Sequence, residues 1–179
     1  METKRKKMHF EEIYAKEADG LFRFCHIRIS DRDQALDIVQ ESFMELWKAM
    51  VNAVIIKHER AFLFTVARNR IIDWYRKSKS LSLDKMIEDS EDEGSTPFLP
   101  KDEKAHGHIV ASAEARHAIE AIDRLRPEYR EAVYLRLVED LPPREIAEIL
   151  GISTNAASVR IFRGVQLLQE ALGIKEKDE

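Results

Sequence analysis

The sequence predicts an all-α protein built from two small helical domains that are joined by a flexible acidic linker. Apolar residues recur at helical spacing in both halves of the chain, and only 6 Gly and 5 Pro occur among 179 residues. The segment from Ser80 to His108 has no sustained periodicity, and a structureless stretch of this length is unusual inside one domain. We therefore divide the chain into residues 1–79, 80–108 and 109–179.

The sequence of the N-terminal half predicts three or four helices. We expect the basic start of the chain, METKRKKMHF, to be frayed. The first helix covers Phe10–Ile29, with apolar residues along one face. Either Ser30 or Asp31 can cap the second helix, at about Asp33–Met50, through a side-chain oxygen. A third helix is predicted at about Ala61–Lys77. The charged face of each helix, taken alone, indicates no more than a solvated surface.

The C-terminal half contains a predicted helix, tight turn and second helix between Pro142 and Leu168. Gly151 follows the last apolar position of the first helix, where helices commonly end with positive φ, and Ser153 can cap the next helix. An apolar stripe on the second helix consists of Ala157, Ile161, Gly164 and Leu168. The opposite face carries Asn155, Ser158, Val159, Phe162, Arg163 and Gln166. This pattern favours a DNA-binding helix-turn-helix over an ordinary αα-hairpin.

Charge is distributed unevenly along the chain. The net charge is −4, which is unusual for a protein that binds DNA unaided. Six cations and one acid lie between Arg60 and Lys79, whereas eight acids and three lysines lie between Asp84 and Lys104. The first domain thus ends in a basic stretch, and the linker after it is acidic.

Several classes of function lack support in the sequence. Cys25 is the one cysteine, which excludes an internal disulfide, fits a reducing cytoplasm and predicts a small buried side chain. No apolar run is long enough to insert in a membrane, and no signal peptide is visible. The histidines lack zinc spacing, and no phosphate-binding loop or nucleophile motif occurs. We expect no enzyme activity, no metal and no cofactor.

Two motif blocks in the N-terminal half, followed by the helix-turn-helix, resemble a bacterial RNA polymerase sigma factor of the extracytoplasmic-function class. The blocks are DRDQALDIVQESFMELWKAM and AFLFTVARNRIIDWYRKS, and the third segment is LRPEYREAVYLRLVEDLPPREIAEILGISTNAASVRIFRG. In that family, region 2 binds core RNA polymerase and melts the −10 element of promoter DNA. Region 4 reads the −35 element as a duplex. The resemblance also implies an anti-sigma factor as a partner.

The first block implies a polymerase-binding surface on the second helix. In the family this helix docks on the clamp helices of the largest polymerase subunit. The corresponding residues here are Asp37, Gln40, Glu41 and Glu45. They form a polar, acidic ridge that suits a basic partner helix.

The second block implies contacts with the melted −10 strand. The matching residues and nearby cations are Arg68, Asn69, Asp73, Arg76 and Lys77. Single-strand capture needs cations for phosphates and groups that bond to or stack on bases. In the family, the preceding loop, here Val51–Arg60, helps to hold a flipped base. This loop is more apolar than the family's usual polar, acidic loop. Trp74 and Tyr75 could stack on bases, although their spacing favours the core.

The helix-turn-helix implies contacts with the −35 duplex through its second helix. The residues assigned to this contact are Asn155, Ser158, Val159, Arg160, Phe162 and Arg163. The family often has a cation where this chain has Ser158, so Arg160 and Arg163 must supply most of the phosphate attraction. Phe162 could contact a thymine methyl group or pack against the preceding helix.

Two other classes of function are weighed against the sigma factor. A free-standing helix-turn-helix regulator would bind duplex operators by itself, but it would need only the C-terminal half. An enzyme with an appended DNA-binding domain would need a catalytic constellation that the sequence lacks. The sequence does not identify the promoter, the inducing signal or the anti-sigma partner.

Overall fold

The computed structural model describes residues 2–29, 31–82 and 113–173, with side chains described for 3–29, 31–77 and 116–173. All regular elements in these ranges are α-helices, which confirms the predicted fold class. The chain divides into an N-terminal unit, Met1–Ala105, and a C-terminal unit, His106–Glu179. The helices are α1 (Glu2–His26), α2 (Arg32–Val51), α3 (Glu59–Ser82), α4 (Ala113–Asp123), α5 (Pro127–Leu137), α6 (Pro143–Leu150) and α7 (Thr154–Ala171).

The core of the N-terminal unit forms where α1, α2 and α3 pack against one another. Its largest fully buried side chains include Phe24, Phe64, Leu46 and Ile71. The rings of Phe24 and Phe64 meet edge to face with centroids 5.1 Å apart. This geometry is favourable for aromatic pairs beyond the area that they bury. The three helices therefore form a single core that supports the outer faces of α2 and α3.

Helix α1 begins at Glu2, so the prediction of a frayed basic start before Phe10 is wrong. The early turns of α1 contact both other helices. Phe10 lies edge to face against Trp47 of α2 at 5.3 Å, and His9 Nε2 lies 3.2 Å from Glu59 Oε1 of α3. Tertiary packing thus supports a segment whose composition alone predicts a loose tail.

Of the two candidate caps, Ser30 and Asp31, it is Asp31 that caps helix α2. Asp31 Oδ1 accepts hydrogen bonds from the backbone N–H groups of Asp33 at 3.0 Å and Gln34 at 3.1 Å. At its other end, the chain leaves α2 through Ala53, whose φ of 55° lies in the left-handed region. The exit is braced by a backbone hydrogen bond of 2.9 Å from Val54 N–H to Ala49 O.

An ion pair between a buried carboxylate and a half-buried guanidinium joins α1 to the beginning of α3. Glu17 is 5% exposed, and its Oε2 lies 2.8 Å from Nε of Arg60. A buried carboxylate needs such a partner, because its unpaired charge would carry a large desolvation penalty. The pair therefore holds the first turn of α3 against α1.

The C-terminal unit is organised by close packing of α7 on α5. Gly164 of α7 is buried, and a Cβ at this position would lie 2.4 Å from Val133 Cγ2 and 3.1 Å from Tyr129 Cβ. The absence of a side chain at residue 164 therefore lets the two helix backbones approach. The fully buried side chains of this unit include Val133, Leu135, Leu141 and Ile146.

The predicted helix-turn-helix is confirmed as α6, a turn and α7. Gly151 ends α6 with φ 65° and ψ 35°, and its N–H bonds back to Glu148 O. Ser153 begins α7 as its cap, with Oγ accepting from Ala156 N–H at 3.2 Å. Ala157, Gly164 and Leu168 are buried as predicted, whereas Ile161 is only half-buried.

The predicted linker, residues 80–108, begins inside α3 in the structure. Because α3 continues to Ser82, the first three residues of that segment are helical rather than linker. Residues 83–108, which hold the acidic run, lie outside the described residues.

Candidate polymerase and nucleic-acid interfaces

The acidic ridge predicted on α2 lies on an outer face of the N-terminal unit. Asp37, Gln40 and Glu41 are exposed, and the Glu45 side chain retains 39% exposure. The opposite side of the helix is buried and consists of Ala35, Ile38, Val39, Ser42, Phe43 and Leu46. Positions 37, 40, 41 and 45 share one helical face, since residues three and four apart are neighbours. The four predicted side chains are therefore available together to one partner.

Glu45 pairs with a cation of its own helix. Lys48 Nζ donates a hydrogen bond of 2.8 Å to Glu45 Oε1. This hydrogen bond, together with the charge of Lys48, lowers the pKa of the Glu45 carboxyl. Both side chains are partly or largely solvated, so the pair is an exchangeable surface contact.

Met44 lies on the same ridge and was missed in the sequence. It is 56% exposed, one turn beyond Gln40 and Glu41. An exposed thioether among acidic groups is typical of the adaptable apolar centre of a protein interface. In the sequence, Met44 lies outside the apolar stripe that contains Val39, Phe43 and Leu46, which was the available signal that its side chain is exposed.

The outer face of α3 carries most of the residues assigned to single-stranded DNA. Asn69, Arg76 and Lys77 are exposed, and Asp73 is half-buried. Arg76 NH2 lies 2.8 Å from Asp73 Oδ1, one turn away on the same helix. The face therefore offers an amide, two cations and an acid that orients one of the cations.

Arg68 does not belong to this face, and its assignment as a DNA contact is not supported. It is 4% exposed, whereas a phosphate ligand must reach solvent. The physical reason is helical register. Residue 68 lies one turn from both Phe64 and Ile71, which are fully buried, so the motif position falls on the core side.

Arg70 is an exposed cation on α3 that the sequence interpretation omitted. Its side chain is 43% exposed, and its NH1 lies 3.3 Å from Oε2 of Glu41 on α2. Arg70 is adjacent to Asn69 and two turns before Lys77. A cation therefore lies at the junction of the α2 ridge and the α3 face.

The loop between α2 and α3 is apolar and exposed. Val51 is 50% exposed, Val54 56% and Ile55 90%. In contrast, Trp74 and Tyr75 are half-buried, and the Tyr75 hydroxyl donates to the backbone carbonyl of Arg28. The exposed apolar surface thus comes from the loop, while the two aromatic residues have the packing role that their spacing favoured.

The outer face of α7 carries the residues assigned to duplex DNA. Asn155, Ser158 and Arg163 are exposed, and Val159 and Phe162 are 41% and 65% exposed. Arg160 is half-buried. The Ser158 hydroxyl donates to Thr154 O at 3.0 Å, so its oxygen remains able to accept from a base or a water. Most of the Phe162 ring is open to solvent and available to a partner.

Other kinds of site are not found in the part of the chain that the structure describes. No group of three or more His, Cys, Asp or Glu side chains there is arranged to hold a metal ion. No helix among the described residues is both long enough and apolar enough to cross a membrane. Cys25 is fully buried, and burial raises the pKa of its thiol to about 12, partly offset by the charge of Arg28.

In comparisons with known proteins, both units of the chain match sigma-factor families. Residues 13–81 match the family model of Sigma-70 region 2, and residues 117–168 match that of Sigma-70, region 4. RNA polymerase sigma factor SigV of Bacillus subtilis (strain 168) is 28% identical over 148 residues, covering 83% of this chain and 81% of the relative. RNA polymerase sigma factor CarQ of Myxococcus xanthus is 28% identical over 164 residues, covering 92% and 89%.

The fold is also that of a solved sigma factor. The sigma factor RpoE, solved in complex with the anti-sigma factor NepR from Bartonella quintana, superposes with a TM-score of 0.67 at 22% identity. The match covers 94% of this chain and 99% of RpoE. A free-standing helix-turn-helix regulator would not account for the region 2 match in the N-terminal unit. The chain belongs to the sigma-70 family and is a sigma factor of the extracytoplasmic-function class, which directs promoter-specific transcription initiation.

Proposed function

We propose that the N-terminal unit docks on core RNA polymerase through α2 and holds the melted −10 strand on α3, while α7 reads the −35 duplex. One observation carries this division of tasks. The ridge of α2 and the outer face of α3 are separate exposed surfaces over one shared core, so the unit can bind protein and DNA together. We further propose that the chain acts in the cytoplasm as a non-catalytic initiation factor.

The polymerase contact rests on Asp37, Gln40 and Glu41, with Met44 beside them. Carboxylates at such a surface attract a basic partner over a distance and fix its register. Met44 supplies apolar area that becomes buried in the complex. Glu45 can also bind the polymerase if it exchanges Lys48 for a cation of the partner. Because the Glu45–Lys48 pair is exposed, this exchange has a small free-energy cost.

The single-strand contact combines the α3 face with the loop before it. Asn69 can form hydrogen bonds with a base, and Arg76 and Lys77 can pair with phosphates. Val54 and Ile55 offer apolar surface for an unstacked base. Such a surface captures a strand that is already open, which matches the task of holding a melted element.

The duplex contact rests on α7, which is held by a cap at its first turn and by close packing on α5 further along. The Ser153 cap sets where α7 begins, and the contact at Gly164 sets its distance from α5. Asn155 and Arg163 can donate to base edges or phosphates, and Phe162 can meet a thymine methyl group. A recognition helix held in this way can lie in the major groove with its exposed face towards the bases.

An anti-sigma factor is proposed as the partner that controls the chain. RpoE of Bartonella quintana was solved with the anti-sigma factor NepR, and CnrH was solved with the cytosolic domain of CnrY. Both solved proteins share the fold of this chain, with TM-scores of 0.67 and 0.56. A protein that covers the α2 ridge would block polymerase docking.

In vitro transcription tests the proposal. Core RNA polymerase reconstituted with the full chain should initiate from a discrete set of sequences in a randomised promoter library, and core alone should not. The isolated chain should bind duplex promoter DNA weakly at physiological salt, because its net charge is −4. Tight, specific duplex binding without polymerase, together with no polymerase-dependent initiation, would favour the free-standing regulator.

A further inference from the structure

The ion pair between Glu41 and Arg70 joins two surfaces that the proposed function assigns to different partners. Glu41 Oε2 belongs to the ridge of α2, and Arg70 NH1 belongs to the outer face of α3, 3.3 Å away. Both side chains are well solvated, at 50% and 43% exposure. Neither charge is buried, so each is free to exchange its partner without exposing a core.

Arg70 has the properties of a phosphate ligand. It follows Asn69 directly and lies on the same side of α3 as Lys77, at a spacing of seven residues. Its planar guanidinium can bind a phosphate through two parallel hydrogen bonds. In the free protein, however, the guanidinium of Arg70 is paired with the carboxylate of Glu41.

We propose that Arg70 is a promoter-DNA contact that Glu41 holds in the free protein and that polymerase docking releases. The inference rests on the proposed function of the two surfaces. When a basic partner takes the Glu41 carboxylate, the guanidinium of Arg70 loses its anion and gains affinity for the phosphates of the melted strand. The same carboxylate cannot serve both cations fully, so docking and strand capture are coupled through this pair.

The size of the coupling follows from the exposure of the pair. Exposed ion pairs contribute modestly, so we expect an effect of about two- to fivefold on each equilibrium. Thermodynamic linkage makes the coupling reciprocal: if docking favours DNA contact by this factor, bound DNA favours docking equally. The effect is small enough to leave both individual functions in place when the pair is removed.

Arg70→Gln separates this proposal from a merely structural pair. The variant should bind core polymerase about two- to fivefold more tightly than wild type, because Glu41 no longer has a competing cation. Its holoenzyme should bind pre-melted promoter DNA several-fold more weakly, with a smaller salt dependence, because a phosphate contact is lost. The DNA probe is a promoter selected from a randomised library by the wild-type holoenzyme. One substitution thus moves the two affinities in opposite directions.

Arg76→Gln is the matched control. It removes the same charge from the same helix face, but Arg76 pairs with Asp73 of its own helix rather than with the ridge. This variant should weaken DNA binding and change core affinity by less than about 1.5-fold. A Glu41→Gln background should abolish the gain in core affinity from Arg70→Gln, because the competing carboxylate charge is then absent.

Three results would overturn the proposal: unchanged or weaker core binding by Arg70→Gln, unchanged DNA binding by its holoenzyme, or an equal gain in core affinity from Arg76→Gln. These results are distinguishable from failure of the proposed function. In that case the wild-type chain itself would not bind core polymerase, or its holoenzyme would select no promoter from the library.

Discussion

Gly164 of α7 lies so close to Val133 of α5 that a Cβ at residue 164 would fall 2.4 Å from Val133 Cγ2. Real Cβ atoms essentially never approach other atoms to this distance, so a side chain here would force Val133 or the helices themselves to shift. The position of the recognition helix therefore depends on a missing methyl group, and this dependence can be tested directly.

Gly164→Ala should destabilise the C-terminal unit by about 1–3 kcal/mol, despite the higher helix propensity of Ala, because overpacking outweighs propensity. Thermal denaturation of the full chain checks the loss. Adding Val133→Ala removes the Cγ2 atom that the new methyl group meets, so the double variant should recover part of it. Strictly additive losses would show that the close approach is not the cause.

Glu41→Lys should weaken binding to core polymerase by at least about tenfold, since it places a cation against a basic partner. The fold should remain intact because Glu41 is exposed. Glu12→Lys is a suitable control, since its side chain on α1 is 76% exposed and lies outside the ridge. Competition against wild type for limiting core measures both variants. Equal affinities for the two would place the polymerase interface elsewhere.

Arg163→Ala and Asn69→Ala should impair different steps of initiation. Loss of a good arginine contact to a base is worth about 1–3 kcal/mol, so Arg163→Ala should reduce binding at the −35 duplex and leave strand opening nearly normal. Asn69→Ala should permit closed-complex formation and slow melting. Permanganate footprinting on duplex and pre-melted templates separates the two effects. Identical defects on both templates would contradict the division of tasks.

The Cys25 thiol should be unreactive in the native protein and reactive after unfolding. Burial raises its pKa from 9.0 to about 12, so the folded chain holds almost no thiolate at neutral or mildly alkaline pH. A chromogenic disulfide reagent at pH 8, with and without denaturant, measures the difference. Rapid labelling of the native chain would show that the site opens to solvent.

The same pKa predicts how stability changes in alkali. Because the folded pKa is raised, the contribution of Cys25 to stability is complete below pH 9 and is lost progressively as pH rises towards 12. Denaturant unfolding at pH 8 and pH 10.5 should therefore show a larger drop for wild type than for Cys25→Ala. An equal drop for both would mean that the thiol ionises without unfolding.

The helix-turn-helix was predictable because its determinants are local. Gly151 supplies the left-handed turn and Ser153 supplies the cap, and both act within a few residues along the chain. The choice between Ser30 and Asp31 as the cap of α2 was left open, since both side chains carry the required oxygen. The extent of α1 was not predictable from its polar start, since Phe10 and His9 are held by residues far along the sequence.

The interface on α3 was only partly predictable, because a motif gives residue types and not burial. Arg68 matched the family pattern and yet lies on the core side of the helix, next to Phe64 and Ile71. The available signal was Phe64, a large apolar residue one turn before Arg68, which places position 68 on the core side. The contact of Arg70 with Glu41 joins two helices, and no periodicity within either helix predicts it. The assignments on the α2 ridge and on α7 stay predictions until binding is measured.

The loop between α2 and α3 is fixed at both ends by contacts that do not involve its tip. Its start is held by the hydrogen bond from Val54 N–H to Ala49 O, and the first turn of α3, which follows the loop, is held by the ion pair of Arg60 with Glu17. The Ile55 side chain, 90% exposed, adds nothing to the core. Substitutions at the tip therefore escape the usual conflict between stability and new activity. Under the proposed function this loop contacts the melted strand, so we expect substitutions of Ile55 to change promoter choice without a loss of folding.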